Sequence, residues 1–593
     1  LDCKWQLFWE KHRRHPREIT TSFSSPSKSQ LDNERGSFKV HWTDLSDYIL
    51  PRRSRFTLTD SNRGDKKNQK IIDSTATLSV RTLKSGMMSG LTSPARPWFR
   101  LTISDSELSE VEGVKEWLST ITKKMADLYI RTNLYKELPT VYGDIGVFAT
   151  GALFVEEDFE KVLRFLAFPI GSYWISNNAK LQVDTFYREF RMTVRQIVEK
   201  FGEFDSDGKV TNWEDFSTHV KDMYLLDEHR EAWIDVCHVV SPNPNFDKSK
   251  VEAKFKKFSS DYFERGRGEN NDSYLGDEDK GRFLRESGYD RFPVLVPRWE
   301  TAGEDVYGTN SPGMISLGDI KQLQTTEKRV AQAIDKSVNP PMTGPTSMRS
   351  KKASILPGDL TLTDEREGQK GFRPAHEVKP QVGEAELKQQ QVRSRIKRAF
   401  YEDIFFMFID DTRRQPPTAR EIHERKGEKL LALGPVLEQL NQDLLDPLID
   451  LTFDEMLKRG MIPPPPPELR GQALKVEYVS VMAEAQKMAG LENIERTLGF
   501  VGELAKATED PATWDKVDVD QAIDIYGDQT STPPGIIRTD AQVAEIRRVR
   551  AEQQQAEQAI AAAREVSASA KDLAGADLEG DNALNRVLQA GGA

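Results

Sequence analysis

Arg413, Arg414 and Gln415 stand in the run Asp410-Asp411-Thr412-Arg413-Arg414-Gln415-Pro416-Pro417. Two guanidiniums side by side are suited to gripping anions, since each offers a planar fork of N–H donors that matches phosphate or carboxylate oxygens. Taken alone, the run reads equally well as a surface turn with ordinary salt bridges. Its setting separates the two readings. Upstream, Val392, Ile396, Phe400, Ile404 and Met407 recur at helical spacing and leave one face apolar. Asp410 and Asp411 close that helix, and Pro416 and Pro417 forbid its continuation. Thr418-Ala-Arg-Glu421 then forms a capping box, whose hydroxyl and carboxylate satisfy otherwise unpaired N–H groups at the start of a second helix. Two long helices between Gly383 and Gly460 thus carry a short, rigid, basic tip, a design that makes sense when the tip is displayed toward something.

The remaining residues of chemical type form weaker patterns. Glu203-Phe-Asp205-Ser-Asp207-Gly208-Lys-Val-Thr211-Asn-Trp-Glu214 has oxygen ligands and a glycine at the spacing of an EF-hand loop. Glu in place of Asp at the first position spoils the tight start of such a loop, and a polar turn between two helices accounts for the same residues. Cys237 and His238 are adjacent, so on a strand they point apart rather than forming a nucleophile and base. The basic run Lys66-Lys67-Asn68-Gln69-Lys70 is read as a solvated helix start. There is no Walker A sequence, no G-x-S-x-G elbow, no zinc spacing and no H-E-x-x-H. No catalytic residue, metal or cofactor is expected, and the chain is not expected to be an enzyme.

At 593 residues the chain exceeds a single hydrophobic core and is expected to form several modules. Charged residues make up 30% against 37% hydrophobic, which suits a polar chain that covers part of its apolar surface between subunits. The longest apolar run, Ile404 to Ile409, is far short of a membrane span. Two cysteines exclude a disulfide framework and fit synthesis in a reducing cytoplasm. The N-terminus has neither an initiator Met nor an apolar signal core, so the sequence is expected to begin inside the gene product. The net charge of −11 argues against static gripping of DNA and is compatible with a surface past which DNA moves without sticking.

Several elements must position the basic tip. A short helix is expected in 1–15, a long one from Lys66 to about Met88, and a strand at Trp98–Ile103. Helix is expected again from Glu110 to Leu134, then short strands within 140–185 (Val147-Phe148, Leu153–Val155, Val162–Leu166), then helix over Thr185–Phe201. Strands mixed with polar loops occupy 230–300. Ser316 is placed to N-cap a helix bearing Ile320, Leu323, Val330 and Ile334 and ended by Asn339-Pro340-Pro341. Pro435 and Pro447 predict a kinked helix, Pro463–Pro467 a stiff spacer, and Lys475–Val479 a strand in a small helical module. The Ala-, Gln- and Arg-rich helix after Thr539 reads either as a packing seam between neighbouring subunits or as a solvated tail, with the residues past about Ser567 flexible.

Three stretches resemble the head-to-tail connector, or portal, proteins of short-tailed, T7-like bacteriophages. They are Trp42 to Phe56, Asn68 to Phe99 with its Gly86-Met-Met-Ser-Gly-Leu-Thr-Ser-Pro94 core, and Asn133 to Gly146. Gly434–Leu437, Pro447–Ile449 and Tyr478–Ser480 extend the likeness, so that it covers most of the chain. The resemblance implies a mixed α+β, predominantly helical, ring-forming portal fold. Its parts would be an N-terminal helix and connector (1–36), a wing (37–312), a stem helix (313–338), a clip (339–382) and a returning stem helix (383–411). A tunnel loop (412–417), a kinked helix (418–469), a crown (470–540) and a C-terminal barrel helix with a tail (541–593) would complete it. It implies a ring of about twelve subunits around a double-stranded DNA channel at the capsid's portal vertex in the virion, made in the bacterial cytoplasm. Terminase motor, tail adaptor, capsid, and scaffold or internal core proteins would be its partners, with no membrane. Arg413, Arg414 and Gln415 would then face the lumen. A non-portal ring such as a tail adaptor, or a DNA-packaging enzyme subunit, is the alternative.

Overall fold

The computed structural model describes residues from Lys28 to Ala574, apart from gaps of six or more at 58–63, 266–282, 362–370, 376–381, 407–432, 480–496, 508–513 and 530–537, and shorter ones elsewhere. The chain forms two compact units, one of 1–102, 118–464 and 474–489, the other of 103–117, 465–473 and 490–593.

In the first unit, helix α1 (Lys28–Tyr48) buries Leu31, Trp42 and Leu45, and α2 (Thr75–Leu91) buries Val80, Leu83 and Met87. The segment from Lys66 to Ser74 is extended and turned rather than helical, because Asp73 and Ser74 divert it before the apolar 3–4 spacing begins. Strand β1 (Phe99–Ile103) alternates buried and half-buried residues as expected. The single helix expected from Glu110 to Leu134 is the first of two, α3 (Glu112–Arg131) and α4 (Leu134–Phe148). Val147 and Phe148 therefore end a helix instead of forming a strand. Every residue of α4 from Val141 onward is buried, so its apolar run reads like a core strand by composition alone.

A three-stranded sheet, ordered β3-β2-β9, comprises β2 (Leu153–Asp158), β3 (Val162–Ala167) and β9 (Val294–Leu295). The larger sheet is an antiparallel meander of β4 (Tyr173–Asn177), β5 (Val183–Thr193), β6 (Trp233–Pro242), β7 (Phe258–Glu264) and β8 (Arg285–Tyr289). Helix was expected over Thr185–Phe201. The chain instead stays extended to Thr193, whose side chain and that of Gln196 form a capping box opening α5 (Val194–Phe201). Helix α6 (Thr218–Leu225) is capped by Ser217. Both helices cover one face of the meander around Val198, Phe216, Val220 and Val236.

The two faces of β6 separate Cys237 from His238, as adjacency on a strand requires. The Cys237 thiol lies 3.2 Å from the Tyr187 hydroxyl, and burial pushes it up to about 12. His238 stacks on Tyr262 at 3.8 Å between ring centres, and its Nε2 is 3.0 Å from the Ser260 hydroxyl. Burial, reinforced by the charges of Arg188, Lys200 and Arg285, holds its imidazole well below the ordinary value of 6.5 and so neutral. A protonated thiol and a neutral imidazole on opposite faces do not make a nucleophile–base pair.

Helix α7 (Pro312–Val338) is N-capped by Ser311, which accepts from the Met314 N–H at 3.3 Å. Ser316, the expected cap, lies inside the helix and donates to the Pro312 carbonyl at 2.6 Å. Pro312 explains the earlier start, since proline is tolerated in the first helical turn. Asn339 ends the helix as expected. A two-residue strand pair, β10 (Met342–Thr343) with β11 (Arg373–Pro374), precedes α8 (Val382–Ala399). The helical course then breaks at Tyr401, a non-glycine residue at φ +56°, before α9 (Glu402–Phe406). The kinked helix is α10 (Gly434–Leu440), a π-turn over Asn441–Leu445, and α11 (Asp446–Lys458). Pro435 falls in the first turn of this run, whereas Pro447 lies inside it directly after the π-turn, where its missing N–H removes an i→i−4 bond, so the irregularity falls where a proline interrupts the helix. Strand β12 (Leu474–Tyr478) pairs with β1.

The second unit contains α12 (Val519–Gln529) and the 35-residue α13 (Asp540–Ala574). Arg547 forks onto Asp520 at 2.5 and 2.7 Å.

An unfolded His238 takes up a proton below about pH 6.5 and the folded one does not, so stability is fully present above that pH and is lost progressively below it. Chemical-denaturation curves between pH 7 and 5 will show this loss at up to about 1.4 kcal/mol per pH unit from this residue. His238→Gln will lose less over the same interval.

Candidate functional site

Arg413, Arg414 and Gln415, with the capping box at Thr418–Glu421, lie outside the described residues. What the structure defines is the scaffold from which that loop departs. Helices α7 and α8 run antiparallel, with Asp319 opposite Arg395 and Glu327 opposite Arg393. Arg395 contacts Asp319 through Nε at 3.0 Å and Nη2 at 2.7 Å, a fork on one carboxylate. Of the apolar stripe read in the sequence, Val392, Ile396, Phe400 and Ile404 are all buried, and Met407 lies outside the described residues.

A polar clamp ties this hairpin to the turn that begins α2. Gln324, only 5% exposed, accepts from the N–H of Ile72 at 2.6 Å and of Asp73 at 2.8 Å, and donates to the Asp73 carbonyl at 2.8 Å. The Asp73 carboxylate accepts from the Thr75 N–H at 2.8 Å, supplying the cap that Ser74 does not, and from Arg393 Nε at 2.9 Å. Arg393 also reaches Glu327. Burial acts to raise the Asp73 carboxyl, but the hydrogen bonds from Thr75 and Arg393 outweigh it and hold it below the ordinary value of 3.8. Sequence reading missed this clamp. Its signal, an isolated Gln among the buried positions of α7, is faint, because nothing in the sequence places residue 73 beside residue 324.

Helix α9 is held by a second pair of contacts. Ser79 donates to the nearly buried Glu402 carboxylate at 2.9 Å. Phe405 lies so close to α2 that a methyl group on Gly86 would sit 2.1 Å from its ring. Gly86 therefore has a specific duty within the Gly-Met-Met-Ser-Gly segment. On the far side of 407–432, the π-turn presents Asp443 to Arg298, which contacts it at 3.0 and 3.1 Å with both groups largely buried. Gln439 donates to the same carboxylate at 2.8 Å.

Other sites that would bind or react with something resolve into structure. In the Glu203–Glu214 loop, Asp205 accepts from the N–H of Asp207 and of Lys209 at 3.0 and 2.7 Å, and Gly208 takes φ +74°. This is a side-chain-closed turn between the bridged residues Phe204 and Val210. Among the described residues no group of His, Cys, Asp and Glu is arranged to hold a metal. The expected helix start at Lys66–Lys70 is absent, and Lys70 instead meets Asp47 at 2.6 Å. A cleft lined by Val155, Tyr289, Arg291 and Lys458 encloses about 40 Å³, too little for a substrate. Its charges are already paired, Arg291 with Asp450 and Asp454, and Lys458 with Asp290. No helix among the described residues is long and apolar enough to cross a membrane.

Gln324→Ala removes the partner of two part-buried N–H groups and is expected to cost roughly 1–3 kcal/mol by chemical denaturation. Gly86→Ala is expected to cost about 1–3 kcal/mol through overpacking, with Phe405→Ala in the same chain relieving the clash and recovering part of the loss.

The geometry is thus a helical hairpin clamped to a mixed α/β body, with the basic loop following it in the chain. A family model described as bacteriophage head to tail connecting protein matches residues 27–537. The portal protein of Salmonella phage epsilon15 is 45% identical over 565 residues, covering 95% of this chain and 97% of its own. The probable portal protein of Bordetella phage BPP-1 is 40% identical over 561 residues, covering 95% and 96%. Among solved structures, a chain from the virion of a native gene transfer agent particle covers 72% of this chain and 85% of its own, at 10% identity and a TM-score of 0.31, too slight a likeness to carry an argument. The match over most of the chain and the two close relatives place this protein in the family of bacteriophage head-to-tail connecting, or portal, proteins.

Proposed function

We propose that this portal protein forms a ring of about twelve subunits at the portal vertex of the capsid, with double-stranded DNA passing through its centre. The observation that carries the ring is the exposure of α7. From Thr325 to Val338 it has no buried residue, and Ile334 and Val338 are 43% and 81% exposed. Only one stripe of this length (Thr326, Glu327, Val330 and Ala333) is half-covered, and a helix otherwise bare is stabilised when neighbours cover it. Leu387 on α8, 62% exposed, adds to the surface needing cover. A closed cyclic arrangement of copies buries such a surface on every subunit. The described part of α13 is similarly exposed through Arg564, which supports the reading of that helix as a barrel strut.

In this reading α7 and α8 are the stem, 339–382 the clip and 37–312 the wing. Residues 412–417 are the tunnel loop, with the crown and barrel beyond. Arg413, Arg414 and Gln415 line the lumen and touch passing phosphates briefly, in a protein whose net charge of −11 keeps DNA from adhering. The chain acts as conduit and docking ring for the packaging motor, the tail adaptor and the capsid with its scaffold or internal core, and carries out no catalysis of its own.

Negative-stain microscopy of the purified chain will show rings with a central hole. Val338→Glu with Leu387→Glu will reduce ring yield severalfold, and a monomer unchanged by these substitutions would refute the assembly. Arg413→Ala with Arg414→Ala will leave rings intact and lower packaged-DNA yield or retention; a normal yield would count against the lumen assignment.

A further inference from the structure

We propose that the loop joining β6 to β7, residues 243–257, is a second contact for double-stranded DNA, made through phosphates and independent of the arginine loop. The loop carries Lys248, Lys250, Lys254, Lys256 and Lys257 against only Asp247 and Glu252, in a chain that is acidic as a whole. Lys248, Lys250, Lys254 and Lys257 are exposed; Lys256 is held by Asp290 at 3.0 Å.

The loop is built to hold its shape. Asn243 donates to the carbonyls of Lys254 and Lys256 at 2.8 and 2.7 Å, and its backbone N–H to that of Lys257 at 2.9 Å. The Asp247 N–H meets the Phe255 carbonyl at 3.0 Å, and the Asp247 carboxylate accepts from the N–H and hydroxyl of Ser249 at 3.0 and 2.6 Å. Gly288 of β8 passes directly beneath: a methyl group there would sit 2.3 Å from the Ala253 carbonyl oxygen. Lys250 and Lys254 lie 3.9 and 5.1 Å from the centre of the Phe255 ring, which holds both charges against it. The pairs Lys254–Glu252 and Lys250–Asp247, at 2.7 and 3.9 Å, are solvent-exposed, and exposed pairs exchange readily for phosphate oxygens.

The side-chain types favour nucleic acid over a protein partner. Protein interfaces are anchored by Trp, Tyr and Arg and are poor in Lys at their centres. This loop has no Trp, Tyr or Arg, its Phe255 is half-buried, and its exposed apolar residues, Phe246 and Val251, are outnumbered by four exposed lysines. Lysines on an ordered loop act as point charges, which suits sequence-independent contact with a phosphate backbone. The inference rests on the reading of this protein as one that handles DNA, but not on the tunnel loop.

The test is retention of a covalently closed circular plasmid, which cannot thread a closed channel, by the full-length assembled chain at roughly 50 and 200 mM salt. Wild type will retain it at low salt and lose it steeply at high salt. The combined substitutions Lys248→Glu, Lys250→Glu, Lys254→Glu and Lys257→Glu will weaken retention by about tenfold or more at low salt and flatten the salt dependence, by about 0.9 in log–log slope for each phosphate no longer neutralised. Sedimentation will show the same assembly as wild type, and replacing the four lysines by arginine will preserve binding. Unchanged retention by the charge-reversed chain would overturn the proposal, as would displacement of the plasmid by polyglutamate at equal charge, which would identify an acidic protein as the partner. Loss of retention on Arg413→Ala with Arg414→Ala alone would overturn it too while leaving the lumen assignment standing.

Discussion

The hydrogen bonds around Asp73 are the constraint on which the hairpin's placement depends. One short turn between the extended segment 66–72 and α2 receives Gln324 from α7 and Arg393 from α8, and so fixes both helices to the body at a single point. Each bond in isolation is worth only about 1 kcal/mol net, but the groups are partly withdrawn from water and every polar atom named has a partner within the set. Removing one member therefore exposes the rest to an unpaired state. Helix α9 and the Gly86–Phe405 contact extend the same attachment toward the start of 407–432.

The acidic and basic residues divide into two populations. Arg298 with Asp443 is withdrawn from solvent, Arg393 with Asp73 is partly so, and both pairs act as joints between elements. The lysines of 243–257 are paired, where paired at all, only with exposed neighbours or with the edge of the sheet. A net charge of −11 hides this difference, since total charge reports how a chain behaves at a distance and not which groups are available on contact.

Much of the hairpin was legible in the sequence because helical spacing is a local property. Val392, Ile396, Phe400 and Ile404 announced a buried stripe and are buried. Misreadings arose where two periods met in one stretch. Residues 183–201 hold a strand followed directly by a helix, and the strongly amphipathic end of that stretch led to helix being assigned to all of it. The capping residue of α7 was misjudged by five positions, because Ser311 and Ser316 both qualify and only Pro312 decides between them. The Gln324 clamp was illegible, as it joins residues some 250 positions apart and no local rule pairs them. Long stretches of near-identity of type with portal proteins carried the family assignment further than any single motif, while the residues given the lumen role fall outside what the structure describes.

The left-handed residue at Tyr401 puts a joint in what would otherwise be one long helix. A continuous helix is a stiff rod, and a push at one end arrives at the other along its axis. Here the rod is jointed between Ala399 and Glu402, so α8 and α9 are two separate short rods rather than one. Phe405 and Glu402 instead fasten α9 to the side of α2.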